Sequence, residues 1–189
     1  MEGIVNLAAL VDESRRHNDL LEISRRADPH LEIAAVARAT DGGPVTMFNN
    51  VVGHPDRKII TNIFGNRNRI ARLCNVEPQA LPRYLADAAL NPIGSTEVGD
   101  APCQQNVITG DVDIYKSVPL TQQTSDDAGD VITGGVALVR DPDTGAFNGS
   151  YHRMRVLGPN RTCITIQAGR HLLEIARKFR KRGRLQIPI

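Results

Sequence analysis

Apolar and polar positions follow two different periods along this chain, and the change between them marks its organisation. From Ile4 to His17, Val5, Leu7, Ala8, Leu10 and Val11 gather apart from the charges, which predicts a short amphipathic helix. Leu20-Leu21-Glu22-Ile23 predicts a brief strand. Asp28-Pro29 sets an N-cap before a proline at the first helical position, so a helix is predicted over His30–Ala39, with Ile33, Val36 and Ala37 as its buried stripe. Asp41-Gly42-Gly43-Pro44 breaks the chain before a strand at Val45–Phe48. Asn49–His54 reads as a strand and turn, and Lys58–Asn62 as a further strand. Ile70, Ala71 and Leu73 continue as a helix face after Asn66-Arg67-Asn68-Arg69, which reads as a solvated helix start rather than a phosphate or nucleic-acid site. Glu77-Pro78 opens another helix, running to about Leu90. Helices alternating with strands predict a small α/β domain.

The pattern then lapses. Asn91–Cys103 is rich in Pro, Gly, Ser and Thr and reads as a linker, dividing the chain into residues 1–105 and 106–189. Asp126 and Asp127 are neighbours on a loop, where their side chains diverge, and they read as turn formers rather than a catalytic pair. Val131–Arg140 is a predicted strand in which Gly134 and Gly135 allow a bulge or a close backbone approach. Asp141-Pro142-Asp143-Thr144-Gly145 is a turn. Two β-type runs follow, Ser150–Leu157 and Thr162–Gln167, flanking the turn Gly158-Pro159-Asn160-Arg161. After His171 the period becomes helical, with Leu172, Ile175, Ala176 and Phe179 on one face and Gly183 as the stop. Leu185–Ile189 begins another predicted strand.

Composition narrows the function classes. At 189 residues and 41% hydrophobic, the chain holds enough apolar surface for a core, and its net charge of +2 gives no global argument for nucleic acid or membrane. Cys74, Cys103 and Cys163 are odd in number and widely spaced without a CxxC, which reads as free thiols in a reducing compartment. No stretch approaches the length of a membrane span, and the N-terminus lacks the apolar core of a signal peptide, so a cytoplasmic protein is expected. Arg177, Lys178, Arg180, Lys181, Arg182 and Arg184 crowd the end of the last helix, where the helix dipole favours cations. That cluster reads as a solvated helix end rather than an RNA site.

The segment richest in chemistry is NGSYHRMRVLGPNRTCITIQAGRH, Asn148–His171. If the turn is a four-residue hairpin loop, Leu157 pairs with Thr162, and the same register sets Asn148 opposite His171. An amide oxygen and an imidazole nitrogen beside Arg153 and Arg155 suit a divalent metal carrying an anionic group such as a phosphate. From the residues alone the plainer reading, a strand-entry asparagine and a first-turn histidine, is the commoner one for an isolated Asn/His pair. Strict alternation sets Asn148 and Arg153 on opposite faces of a regular strand, so either a bound group lies across the strand end or Gly149 makes a bulge, and an irregularity near Gly149 is expected.

NGSYHRMRV, the upstream GGVALVRDPDTG and the downstream QAGRH resemble the flavin-and-metal segment of UbiD-type decarboxylases. ADPHLEIAAVAR, GPVTMFNNVVGH and IITNIFGNRNRIA resemble the N-terminal half of the same family, so the resemblance covers nearly the whole chain. It implies a small N-terminal α/β domain followed by the beginning of a split β-barrel flavin-binding domain. It implies reversible, non-oxidative decarboxylation with prenylated FMN and a divalent metal, manganese for preference, with potassium as a further candidate ion. By resemblance, Asn148 and His171 are the metal ligands and Arg153 the catalytic cation. Tyr151, His152, Arg153, Thr165, Ile166, Gln167, Arg170 and His171 are the implied cofactor contacts.

In the family a further metal-binding carboxylate and the acidic partners of the arginine lie downstream of the histidine. A chain that stops at the start of a strand leaves an unpaired edge. The expectation is the N-terminal part of a larger, homo-oligomeric decarboxylase, truncated, cleaved or joined by a second chain, and inactive alone. Its substrate would be an aromatic, heteroaromatic or α,β-unsaturated carboxylic acid. A non-catalytic flavin-binding or assembly subunit is the alternative. A nucleic-acid module resting on Arg67, Arg69 and the last helix is weaker, because exposed aromatics do not interleave with those cations.

Overall fold

The computed structural model describes residues 6–94, 96–184 and 186. The chain is mixed α/β and divides into two compact units, Met1–Val112 and Asp113–Ile189.

In the first unit the order is α1 (Leu7–Arg16), β1 (Leu20–Ile23), α2 (Glu32–Ala39), β2 (Val45–Phe48), β3 (Ile59–Thr61), α3 (Arg67–Leu73) and α4 (Leu81–Leu90). β2 is the central strand, parallel to β1 and antiparallel to β3. It is buried along its whole length, as a strand covered on both faces must be. Ala27, Ile33, Phe48 and Val51 form the core, with Ile23, Val36 and Ile59 packed against them. β1 and β2 have the predicted bounds. The expected Lys58–Asn62 strand shortens to β3, and Asn49–His54 makes isolated bridges through Val51 rather than a strand.

Two helices begin later than their prolines imply. Asp28 Oδ1 accepts the His30 N–H at 2.8 Å and Glu32 Oε2 accepts the Asp28 N–H at 2.7 Å, so Asp28–Leu31 forms a side-chain-closed turn and α2 starts at Glu32. Likewise Glu77–Ala80 closes as a turn, and α4 starts at Leu81 with Pro82 in its first turn, where a missing N–H costs nothing. Asn66 caps α3 by accepting from the N–H groups of Asn68 and Arg69.

Arg69 corrects the solvated reading of that helix start. Its side chain is fully buried and all five N–H groups are used. They reach both Asp19 oxygens (2.7 and 2.8 Å), the carbonyls of Asn62 (2.6 Å) and Ile63 (3.2 Å), and the Gly43 carbonyl (2.5 Å). One guanidinium thereby ties the start of β1, the entry to β2 and the exit of β3. Arg72 adds a second bond to Asp19 and one to Glu13, each at 2.7 Å.

The second unit runs α5 (Ile114–Ser117), β4 (Val131–Arg140), β5 (Phe147–Gly158), β6 (Arg161–Cys163) and α6 (His171–Lys181). Its three strands form an antiparallel sheet in chain order. α6 lays Leu172, Ile175 and Phe179 on Ala137 and Val139 of β4, with Ile164 and Ile166 packed alongside. Gly183, at φ +76°, ends the helix in the left-handed conformation that glycine adopts without a Cβ clash. The basic helix end is partly paired: Lys178 reaches Asp141 at 2.7 Å and Asp143 at 3.2 Å, and Arg182 bonds Asp143. The predicted strand at Leu185–Ile189 lies almost entirely outside the described residues.

Candidate functional site

β5 is the spine of the site, and its pairing differs from the expected register. Val156 pairs with Thr162 and Gly158 with Arg161, so the hairpin loop is Pro159-Asn160 and Leu157 is an extra, bulged residue. A bulge inserts one residue into one strand only, which moves Thr162 from Leu157 to Val156. β6 then ends at Cys163 instead of continuing to Gln167, and Ile164–Arg170 leaves the sheet to carry the chain to α6. Asn148 therefore does not face His171 across a hairpin; it pairs with Val139 of β4.

The expected irregularity at Gly149 is also absent. Asn148, Gly149 and Ser150 pair in unbroken register with Val139, Leu138 and Ala137. The register shifts instead between Ile132 and Gly135, where Thr133 and Gly134 together stand opposite Arg153. A Cβ on Gly135 would lie 2.7 Å from the Met154 side chain. The glycine pair thus supplies both a bulge and a close approach, as the sequence implies.

An open cleft of about 840 Å³ runs along β5. It is lined by Asn148, Tyr151, His152, Arg153, Thr165, Ile166, Gln167, Arg170 and His171, every site residue expected from the sequence. Alternation still divides Asn148 and His152 from Tyr151 and Arg153, and the cleft takes side chains from both sets. Asn148 and His171 also border a smaller recess with Asp141, Glu174 and Lys178. α6 delivers His171: Leu172, the next residue, is anchored in the cluster that holds Val139, the strand partner of Asn148.

Three features show what the cleft can hold. The Asn148 Nδ2 is a buried side-chain donor without a hydrogen-bond partner. An amide N–H cannot ligate a cation, so a metal would take Oδ1, the end that is not enclosed in this way. Asn148 and His171 are thus a fitting oxygen and nitrogen pair for a divalent cation, while among the described residues no three His, Cys, Asp or Glu side chains gather as a complete site. Arg153, Arg155 and Arg170 bring positive charge to the same walls, suited to a phosphate or carboxylate. His152 Nε2 and Ser150 Oγ lie 2.9 Å apart, which fixes the ring of one lining residue.

Sequence reasoning missed Asp127, which also lines the cleft. Its Oδ2 accepts the backbone N–H groups of Gln123 and Thr124, as a turn former does, and its Oδ1 accepts from Arg153 Nη1 at 3.2 Å. Those backbone bonds, Gln123 first, and then the nearby guanidinium hold its carboxyl below the usual range. The pairing joins residues 26 apart in sequence, and no local signal announces it.

Residues 11–89 match the 3-octaprenyl-4-hydroxybenzoate carboxy-lyase N-terminal domain, and residues 95–189 match the Rift-related domain of that carboxy-lyase. The chain is 31% identical over 176 residues to gallate decarboxylase from Lactiplantibacillus plantarum, covering 85% of this chain and 36% of the relative. It is 29% identical over 165 residues to anhydromevalonate phosphate decarboxylase from Methanothermobacter thermautotrophicus, covering 87% and 37%. The UbiD-class enzyme HmfF from Pelotomaculum thermopropionicum, solved in complex with prFMN, superposes at a TM-score of 0.89 with 31% identity, over 94% of this chain and 42% of that one. The apo 3,4-dihydroxybenzoic acid decarboxylase of Klebsiella pneumoniae superposes at 0.87 with 28% identity, over 96% and 41%. The chain spans about two fifths of the length of these relatives.

Proposed function

Because the chain belongs to the UbiD family of 3-octaprenyl-4-hydroxybenzoate carboxy-lyases, we propose that it supplies the N-terminal part of the active site of a reversible, non-oxidative decarboxylase. The substrate class is an aromatic, heteroaromatic or α,β-unsaturated carboxylic acid. The observation that carries this reading is the convergence of nine expected residues, from β5, the loop after β6 and the start of α6, on one cleft. Residues 106–189 are then the first part of a split-barrel flavin domain, and the remainder comes from a longer chain or a second subunit of a homo-oligomeric, cytoplasmic enzyme.

Decarboxylation leaves an electron pair on carbon, and prenylated FMN supplies the sink for it when bound. The chain's own residues bind and orient. Asn148 and His171 would hold the divalent metal, manganese in our reading, as two of its ligands. Tyr151, His152, Thr165, Ile166, Gln167 and Arg170 line the cofactor's bed. Arg153 presents a planar N–H fork that grips the substrate carboxylate or the cofactor's anionic edge.

The test is a titration of the 189-residue chain with FMN, read by flavin fluorescence with and without Mn²⁺, alongside native and denaturing mass spectra of the preparation. We expect FMN to bind, Mn²⁺ to tighten it, and Arg170→Ala or His171→Ala to weaken it roughly tenfold, the loss of one charge-assisted contact. A second polypeptide in the native spectrum would be the complex on which carbon dioxide release is assayed. No FMN binding at millimolar concentration refutes the reading. Binding without decarboxylation by the complete complex makes this a flavin-binding or assembly subunit instead.

A further inference from the structure

The two carboxylate oxygens of Asp127 have separate tasks. Oδ2 closes the loop before β4 by accepting from Gln123 N (2.9 Å) and Thr124 N (3.1 Å). Oδ1 is not needed for that turn, yet it is occupied by Arg153 Nη1 at 3.2 Å. The carboxylate side chain is 12% exposed and the guanidinium 54% exposed, so a largely enclosed acid held by two backbone N–H groups meets a half-exposed cation that lines the cleft. Arg153 stands opposite the bulge at Thr133 and Gly134, where regular cross-strand neighbours are displaced. Among the described residues Asp127 is its side-chain hydrogen-bond partner, which engages one of five N–H groups of a residue that lines the cleft.

We propose that Asp127 is a positioning residue for Arg153, clamping one edge of the guanidinium so that the other edge is presented to the substrate carboxylate. This rests on the decarboxylase reading above. The clamp acts on binding in two opposite ways. It removes rotamer freedom that Arg153 would otherwise lose on binding, which favours an anion, and it adds a negative charge nearby, which disfavours one. These effects offset each other in affinity. Orientation of the reacting group has no such offset, and a misplacement of about 1 Å can cost on the order of a hundredfold in rate.

The experiment compares wild type with Asp127→Asn in the complete cofactor-loaded enzyme. The substitution keeps an amide oxygen for the Gln123 and Thr124 N–H groups, while its NH₂ cannot accept from Arg153. We expect kcat to fall roughly ten- to a hundredfold with KM within about threefold. In parallel, nitrogen-15 NMR of the 189-residue chain should resolve the two Arg153 Nη groups, identified by their loss in Arg153→Lys, and Asp127→Asn should average them. An unchanged kcat, or a loss confined to KM, overturns the positioning role. So does an Arg153 signal already averaged in wild type. If the wild-type enzyme releases no carbon dioxide, the decarboxylase reading fails instead, and the NMR result still decides whether the clamp exists.

Discussion

Asn148→Val separates the energetic cost of the site from its use. Asn148 occupies a regular strand position opposite Val139, yet its Nδ2 is buried without a partner. An unpaired buried amide donor costs about 1–3 kcal/mol. Valine removes that donor, suits a strand, and gains a β-branched cross-strand pair worth about 0.2–1 kcal/mol. Part of the gain is returned because Asn148 is only half-buried, and we take a net stabilisation of about 1 kcal/mol in the absence of metal. With a urea m-value of about 1–3 kcal/mol/M, the unfolding midpoint should rise by roughly 0.3–1 M in EDTA. Adding Mn²⁺ should invert the order. A native-state ligand at a hundred times its dissociation constant contributes about 2.7 kcal/mol, and valine offers the metal no oxygen. The assay is therefore urea unfolding of both proteins, with EDTA and with Mn²⁺. A variant that is less stable than wild type in EDTA, or that gains as much from Mn²⁺, would refute the assignment of Asn148 as a metal ligand.

Asp19→Asn should destabilise the chain by about 3–5 kcal/mol in urea unfolding, because it strands the buried Arg69 guanidinium; a loss below about 1 kcal/mol contradicts this. The Arg69 and Arg72 hydrogen bonds hold the Asp19 carboxyl below its ordinary range, so their contribution is complete above that range and is lost as pH falls through the lowered value. Gly135→Val should cost about 1–3 kcal/mol through its clash with Met154, and Met154→Ala in the same chain should recover part of it. Lys178 is raised and Asp141 lowered, each chiefly by the hydrogen bond between them. The support this pair gives α6 is therefore lost as pH falls through the Asp141 value and as it rises through the Lys178 value. Lys178→Met should reduce the alkaline fall in thermal midpoint, and an unchanged alkaline fall in the variant contradicts that assignment.

Local signals and distant ones were not equally legible. β1, β2 and β4 have the predicted bounds because each carries its apolar pattern up to a residue that breaks it. α2 and α4 start late because Asp28 and Glu77 each close a turn first, and a proline after an acid marks that turn as readily as a helix. Arg69 departs from its sequence reading for a different reason. Its neighbours Arg67 and Asn68 give it a polar setting in sequence, while its partner Asp19 lies 50 residues away. A buried ion pair is a tertiary fact, and periodicity does not report it.

Asn148 and His171 share a cleft without the hairpin register that the turn implies. Counting back from the turn set Asn148 opposite His171, and the bulge at Leu157 defeats that count. The two residues still border the same cleft and recess because a second route joins them. Asn148 is fixed to Val139 by strand pairing, Val139 packs in the cluster that receives Leu172, and Leu172 carries His171 beside it at the start of α6. Hydrophobic anchoring of one helix thus does what hairpin symmetry was expected to do. By this route Leu172, a core residue that also borders the cleft, would set the separation of the two proposed metal ligands. Leu172→Ala should therefore weaken Mn²⁺ binding beyond its effect on global stability, whereas Phe179→Ala, two turns further along α6, should cost stability with little effect on the metal. Equal Mn²⁺ affinity in the two variants would remove Leu172 from that role and leave the convergence of Asn148 and His171 to the loop after β6.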